Sequence, residues 1–339
     1  MTKYARITGW GKHLPSRVMT NREFESFLDT SDEWIFSRTG IRERRIAAED
    51  ETASTMGVNA ARQALAFAGL EPQELDLVIA ATCSTERVFP ACASLIQHGL
   101  GARNAGAFDL NAACSGFVYG LDVARQFVQT GLQRNVLVVG TEVFSRLLDW
   151  KDRGTCILFG DGAGAVVLQA SDEPGGILSS VMGSDGSGAD FLYVPGVCAS
   201  PLDPLVNEHH HLVMNGAQVF KFAVRMVVDS TRQAVCDAGL ALEDIDLFIP
   251  HQANLRIITS ATEALGIPQE KVFVNLERYG NTSSASIPIA LCEAAEAGLL
   301  REGQRVALVA VGGGLSWAAM VLEWSATTQT MAHNLSALT

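Results

Sequence analysis

The chain has 339 residues, with 25 Lys and Arg against 37 Asp and Glu, giving a formal net charge of −12. An apolar content of 48% is ample for a packed core and excludes a disordered chain, while the acidic balance argues against nucleic acid or an anionic membrane as the main partner. No apolar run reaches the roughly 18 residues of a membrane span, no long apolar stretch follows the N-terminus, and the seven cysteines include no CxxC pair for zinc or a disulfide framework, so a reduced, cytoplasmic chain is expected.

In chain order, the first strong element is a helix. Met56, Ala60, Ala61, Ala64, Leu65 and Ala68 fall at helical spacing, and Gly69 ends the run. The apolar run after Asp76 is too short for a helix and reads as an interior strand. A turn, Asp109-Leu110-Asn111-Ala112-Ala113-Cys114-Ser115-Gly116, then opens a helix with Phe117, Leu121, Ala124 and Val128 on one stripe, closing at Gly131. Gly160-Asp161-Gly162-Ala163-Gly164-Ala165 lacks the GxGxxG spacing and runs into the strand Val166-Val167-Leu168, so it is not a dinucleotide loop. The segment from about Pro174 to Asn215 is rich in Gly, Ser, Asp and Pro and reads as a connection and candidate lid. Its run His209-His210-His211 reads as solvated loop rather than a metal site.

After that segment the pattern begins again. RQALAFAGL at 62–70 returns as RQAVCDAGL at 232–240, identical at six of nine positions and offset by 170. The same offset carries Leu75–Ile79 onto Ile245–Ile249 and Val136–Val139 onto Val306–Val309. A period of half the chain implies two packed copies of one domain-sized unit rather than a solenoid. The expected division is 1–174, a connection at 175–215, and 216–339. Helix and strand in repetition imply an α/β fold with two mostly parallel mixed sheets in layers α/β/α/β/α.

Four turns carry the candidate chemistry. Cys114 begins a helix, whose positive end favours thiolate and should lower the thiol pKa. Its small neighbours leave room for a carbonyl, and the turn alone fits either a nucleophile or an inert buried cysteine. His251, in Ile249-Pro250-His251-Gln252-Ala253-Asn254, directly follows the repeated strand, where it either faces a ligand crevice or is a satisfied core histidine. Asn281, in Tyr279-Gly280-Asn281-Thr282-Ser283-Ser284-Ala285-Ser286, precedes a helix that it could simply cap, with Pro288 tolerated in the first turn. Gly312-Gly313-Gly314 after Val306–Val311 exposes amides that could form an oxyanion hole, or only a tight turn.

Together, AACSGF around Cys114, PHQAN around His251, YGNTSSAS around Asn281 and GGG before LSW resemble β-ketoacyl-acyl-carrier-protein synthase III, the initiating condensing enzyme of bacterial fatty-acid synthesis in the thiolase superfamily. SDEWIFSRTGIRERR at 31–45 and DRGTCILFGDGAGAVVL at 152–168 extend the resemblance, which runs from about Ile7 to Trp324. It implies a duplicated thiolase-like fold and a Claisen condensation in two half-reactions. An acyl group passes from coenzyme A to Cys114; malonyl on acyl carrier protein then loses CO₂ and attacks the acyl-cysteine. His251 and Asn281 would donate hydrogen bonds to the malonyl thioester oxygen, and the amides of Cys114 and Gly313 would hold the acyl oxyanion, with Gly314 the near alternative.

The resemblance also implies that Trp34 and Arg153 sandwich the adenine of coenzyme A, that Arg38 meets its pyrophosphate and Asn254 its pantetheine arm. Lys221, Arg225 and Arg256 would dock the acidic carrier, although Glu263 and Ala264 stand where some relatives carry basic residues. A homodimer is implied, with the partner's Phe89 reaching the acyl pocket, which Val311 leaves wider than a Phe would. No metal and no cofactor beyond the thioester substrate are implied. The competing readings are a same-fold acyltransferase of secondary metabolism, making a quinolone, polyketide starter or ester, and a non-catalytic acyl-CoA-binding partner. Asn281 favours decarboxylative condensation.

Overall fold

The computed structural model describes residues 3–196 and 211–326; His209 and His210 of the histidine run lie outside them. The chain opens with β1 (Tyr4–His13), followed by a ribbon of β2 (Arg17–Thr20) and β3 (Glu43–Ile46) that encloses α1 (Asn21–Phe24) and α2 (Asp32–Thr39). The predicted first helix is α3 (Ala53–Ala68). The Thr52 side chain accepts the Thr55 amide at its start, and Gly69 stops it at φ +65. Its apolar stripe, Met56, Ala60, Ala61, Ala64 and Leu65, is buried against the sheet.

The first half continues through β4 (Leu77–Ala81), α4 (Cys92–Leu100), β5 (Gly106–Leu110), α5 (Gly116–Gln129), β6 (Asn135–Glu142) and β7 (Gly162–Ser171). The second half contains β8 (Ile177–Ser184), β9 (Leu192–Tyr193), β10 (Val213–Met214), α6 (Gly216–Asp237), β11 (Leu247–Pro250), α7 (Leu255–Leu265), α8 (Leu276–Tyr279), α9 (Ser286–Glu296), β12 (Arg305–Gly312) and β13 (Ser316–Glu323). The first sheet has the order β1-β7-β6-β4-β5 and the second β8-β13-β12-β11. Read from β1 and from β8, both run antiparallel, antiparallel, parallel, and the first adds parallel β5. The sheets are therefore mixed, with antiparallel pairs wherever a short hairpin joins neighbours, as between β12 and β13.

Five layers result. Helices α3 and α4 cover the outer face of the first sheet, α6 and α7 that of the second, and α5 and α9 lie between the sheets. Phe117, Leu121, Ala124 and Val128 of α5 are fully buried there, each larger one contributing about 1.5–3 kcal/mol. Gly140 is needed at this interface, because a Cβ there would collide with the Ser284 carbonyl.

The repeat persists in detail. Asp76 Oδ2 accepts the Asn135 amide and Asp246 Oδ2 accepts the Arg305 amide, at the same positions of the two copies. Ala113 and Ser283 both adopt a positive φ, +47 and +49. Each is held by the side chain two residues earlier: Asn111 Oδ1 accepts the Ala113 amide, and Asn281 Oδ1 accepts the Ser283 amide. One part of the expected connection differs. Residues 177–184 form β8, paired along its length with β13. The glycine and serine content that reads as a loop instead lets this strand lie close to its neighbours: Gly183 lies under the Trp317 ring. Residues 177–184 are thus a strand of the second sheet.

Candidate active site

Cys114 sits where β5 turns into α5. The positive φ of Ala113 and a 3₁₀ turn over Ala113–Ser115 deliver it to the helix start, with 7% of its surface exposed. From the other half, Gly312 packs against its amide, so that an added Cβ would lie 2.7 Å from Cys114 N. The expected lowering of the thiol pKa is reversed. Burial pushes it up to about 12, the Ser283 side chain acts the other way, and the nearby Glu142 carboxyl raises it further. The physical reason is one of size. A helix N-terminus is worth up to about 2 kcal/mol, whereas full burial can shift a pKa by several units.

His251 follows β11. Its amide donates to Val309 O at 2.7 Å, and its Nδ1 lies 2.6 Å from Ser286 Oγ. Ser286 Oγ itself accepts the Gln252 amide at 3.4 Å. Ser286 Oγ, with one proton and two lone pairs, can accept the Gln252 amide and donate to Nδ1, and in that arrangement the ring hydrogen sits on Nε2. Burial lowers the imidazole pKa to about 3, so the ring is neutral at neutral pH. Asn281 is pinned through its main chain to Leu158 O and Gly160 N, at 2.8 and 3.0 Å. Its Oδ1 is taken by the Ser283 amide at 2.8 Å, leaving the Nδ2 group as a donor. Asn281 therefore does cap a turn, and still has an amino group to offer.

Cys114, His251 and Asn281 line one cavity of about 140 Å³, together with Val311, Gly312 and Asn254. A second cavity, of about 480 Å³, also reaches Cys114 and is lined by Tyr119, Phe144, Leu192, Gly313 and Gly314 among others. The sulfur thus stands between a compartment bearing N–H donors and a second compartment beyond it. Among the described residues, no group of three or more His, Cys, Asp or Glu is arranged to hold a metal ion.

Two regions match family models, residues 108–186 for 3-oxoacyl-[acyl-carrier-protein (ACP)] synthase III and residues 236–324 for its C-terminal part. The chain is 53% identical over 329 residues to a beta-ketoacyl-[acyl-carrier-protein] synthase III of Roseiflexus sp. (strain RS-1), covering 96% of this chain and 100% of the relative. The chain belongs to the 3-oxoacyl-[acyl-carrier-protein] synthase III family. Solved structures agree. The synthase III of Aquifex aeolicus VF5 superposes with a TM-score of 0.89 at 47% identity, over 94% of this chain and 100% of the other. The priming beta-ketosynthase of the R1128 polyketide biosynthetic pathway gives 0.91 at 43% identity, over 96% and 97%.

Of the remaining residues expected of a synthase III, Asn254, Val311, Gly313 and Gly314 line these cavities and the others do not. Trp34, on α2, carries two guanidinium groups on its ring, Arg38 at 4.7 Å and Arg153 at 4.6 Å from the centroid. Asn254 lines the first cavity but has work of its own: its Oδ1 caps α7 through the Arg256 amide, and its Nδ2 donates to Arg38 O at 3.1 Å. Lys221 and Arg225 are exposed on α6 and line a shallow groove, while exposed Arg256 stands over Phe220 on the wall of the first cavity. Val311 lines the first cavity, and the pair Gly313 and Gly314 the second. Phe89 lines neither; it is 84% exposed, beside equally exposed Val88. Sequence reasoning missed Ser283, Ser286 and Glu142. The available signal for Glu142 was a carboxylate closing the apolar run Val136–Val139 of β6, and for Ser283 its place as the repeat partner of Ala113.

Proposed function

We propose that Cys114 takes an acyl group from an acyl-CoA and that malonyl-acyl carrier protein, losing CO₂, attacks the resulting thioester to give 3-oxoacyl-acyl carrier protein. One observation supports this most strongly. The cavity at the Cys114 sulfur is lined by two residues with a side-chain N–H to give, His251 at Nε2 and Asn281 at Nδ2, and neither group has a partner among the described residues. Decarboxylation builds negative charge on the malonyl thioester oxygen, and two fixed donors in a cavity walled mostly by apolar side chains stabilise that charge more than water does. A neutral His suits the role, since a donor is required and not a proton to lose. The amides of Cys114 and Gly313 are assigned to the oxyanion formed on the acyl carbon.

Coenzyme A is assigned to the side of α2. Arg38 and Arg153 now rest on the Trp34 ring; both are exposed and swing off to let the adenine stack on Trp34 with Arg153 over it, while Asn254 faces the pantetheine arm. Lys221, Arg225 and Arg256 form the basic rim for the carrier in an otherwise acidic chain. The exposure of Val88 and Phe89 fits a homodimer in which the partner's Phe89 closes the second cavity. The decisive experiment is a panel of acyl-CoA donors, acetyl to long-chain and branched, with malonyl-carrier as acceptor. The expected result is an acyl adduct on Cys114 by intact mass and a 3-oxoacyl-carrier product. An undiminished adduct in Cys114→Ser refutes the nucleophile. Similarity to a polyketide priming ketosynthase favours a second reading, a starter unit of secondary metabolism, which preference for a donor other than acetyl-CoA would support.

A further inference from the structure

Glu142 closes β6 and is fully buried. Its Oε1 accepts from Ser283 Oγ at 3.1 Å, Ser284 Oγ at 2.9 Å and Cys83 Sγ at 3.4 Å. Its Oε2 accepts from Thr82 Oγ1 at 3.3 Å, the Cys83 amide at 3.2 Å and the Ser84 hydroxyl. None of these donors is a cation, and burial raises the carboxyl pKa above its ordinary value. The titratable groups that sense its charge are Cys83 after β4, Cys92 at the start of α4, and Cys114.

The surroundings of Glu142 suit both of its protonation states. Ser284 has one hydroxyl proton and two acceptors, Glu142 Oε1 and Ala81 O at 2.8 Å. It can therefore donate to an ionised Glu142, or turn to Ala81 O and accept from a protonated one. Ser283, held at φ +49, lies between the two groups: its hydroxyl donates to Glu142 Oε1, and the same side chain favours the Cys114 thiolate. With His251 assigned to donate from Nε2 to the malonyl thioester oxygen, the thiol proton calls for a different acceptor.

We propose that Ser283 and Glu142 form a proton path for acylation, Ser283 relaying and Glu142 accepting the Cys114 thiol proton. The inference rests on Cys114 being the acylated residue. In the step, the thiol proton moves to Ser283 Oγ as the Ser283 proton moves to Glu142. The Cys114 sulfur then forms its bond to the acyl carbon and the bond from that carbon to the coenzyme A sulfur breaks. The proton returns along the same path to the departing coenzyme A thiolate, leaving Glu142 ionised. Transfer within the pair keeps one negative charge in the cavity. Loss of the thiol proton to water would instead place two there, at the repulsion already visible between Glu142 and Cys114.

The test uses Glu142→Gln, Glu142→Asp and Ser283→Ala, reading single-turnover acylation by intact mass from pH 6 to 9 and malonyl-carrier decarboxylation separately. In wild type, acylation falls as acid protonates Glu142. In Glu142→Gln it drops at least 30-fold at pH 7 and rises about tenfold per pH unit, as expected when hydroxide must remove the proton. The ratio of acylation to decarboxylation falls at least tenfold in Glu142→Gln and Ser283→Ala, and Glu142→Asp restores the shallow pH profile. If Glu142→Gln slows both half-reactions equally with an unchanged profile, Glu142 only holds the site together and the path is refuted; should that variant fail to fold, an unchanged ratio in Ser283→Ala refutes it equally. Absence of any acyl adduct in wild type would sink the Cys114 reading itself, a distinct outcome.

Discussion

Acidification should weaken this protein through His251, and by an amount the structure allows one to work out. The imidazole is buried, and burial lowers its pKa from 6.5 to about 3. In the unfolded chain it titrates near 6.5. Between these values the unfolded state binds a proton that the folded state refuses, so stability falls as pH falls. Each unit is worth about 1.4 kcal/mol, which gives about 3 kcal/mol between pH 6.5 and 4.5. Glu142 and Asp161 act oppositely: burial raises their folded pKa values, so protonation relieves a strain that the unfolded chain lacks. Wild type alone therefore does not isolate the histidine. The measurement is urea unfolding of wild type and His251→Gln at pH 7.5, 6.5, 5.5 and 4.5. The gap between the two proteins at pH 7.5 reports packing. Relative to that gap, wild type should lose about 3 kcal/mol by pH 4.5 that the variant does not. Parallel curves, within about 0.5 kcal/mol over the whole range, would show that His251 takes up a proton while folded and that its neutral, donor-bearing state is wrong.

Two further predictions concern the scaffold. Gly312→Ala places a methyl group 2.7 Å from Cys114 N; the resulting shift of the turn should cost about 1–3 kcal/mol of stability and slow Cys114 acylation at least about 100-fold, checked by urea melts and by the rate of adduct formation. Arg44 is fully buried and donates to Asn21 Oδ1, Met19 O and Ile157 O. Arg44→Met strands those acceptors at about 1–3 kcal/mol for each one left unpaired, and a urea midpoint unchanged from wild type would contradict that bonding.

What was legible in the sequence was what repeats or alternates locally. The segment 62–70 and its copy at 232–240 announced the duplication, and the stripe of α5 announced a buried helix starting at Cys114. His251 was legible because it ends an apolar strand, and Asn281 because it stands in a turn of small and polar residues that precedes a helix. β8 was not, since a strand packed against a Trp317 ring and a tight neighbour is built from the same Gly and Ser that make loops. The direction of the Cys114 pKa was also hidden. Helix starts are readable from spacing, but the layers that remove water from the sulfur come from both halves and from residues far apart in the chain. Ser283, Ser286 and Glu142 escaped for a related reason: serines are common, and only the fold shows that these hydroxyls face a sulfur, an imidazole and a carboxyl.

The matched bends at Ala113 and Ser283 carry a further consequence. A symmetric pair of lobes would be obliged to place the same side chain at both equivalent points. Once the lobes share one polypeptide, that obligation lapses. Here one bend presents sulfur at position 114, while its twin presents the Ser284 hydroxyl at the same point and donates it to Glu142 of the opposite lobe. Each lobe thus furnishes what the other lacks, and neither, expressed by itself, would own a complete reaction chamber.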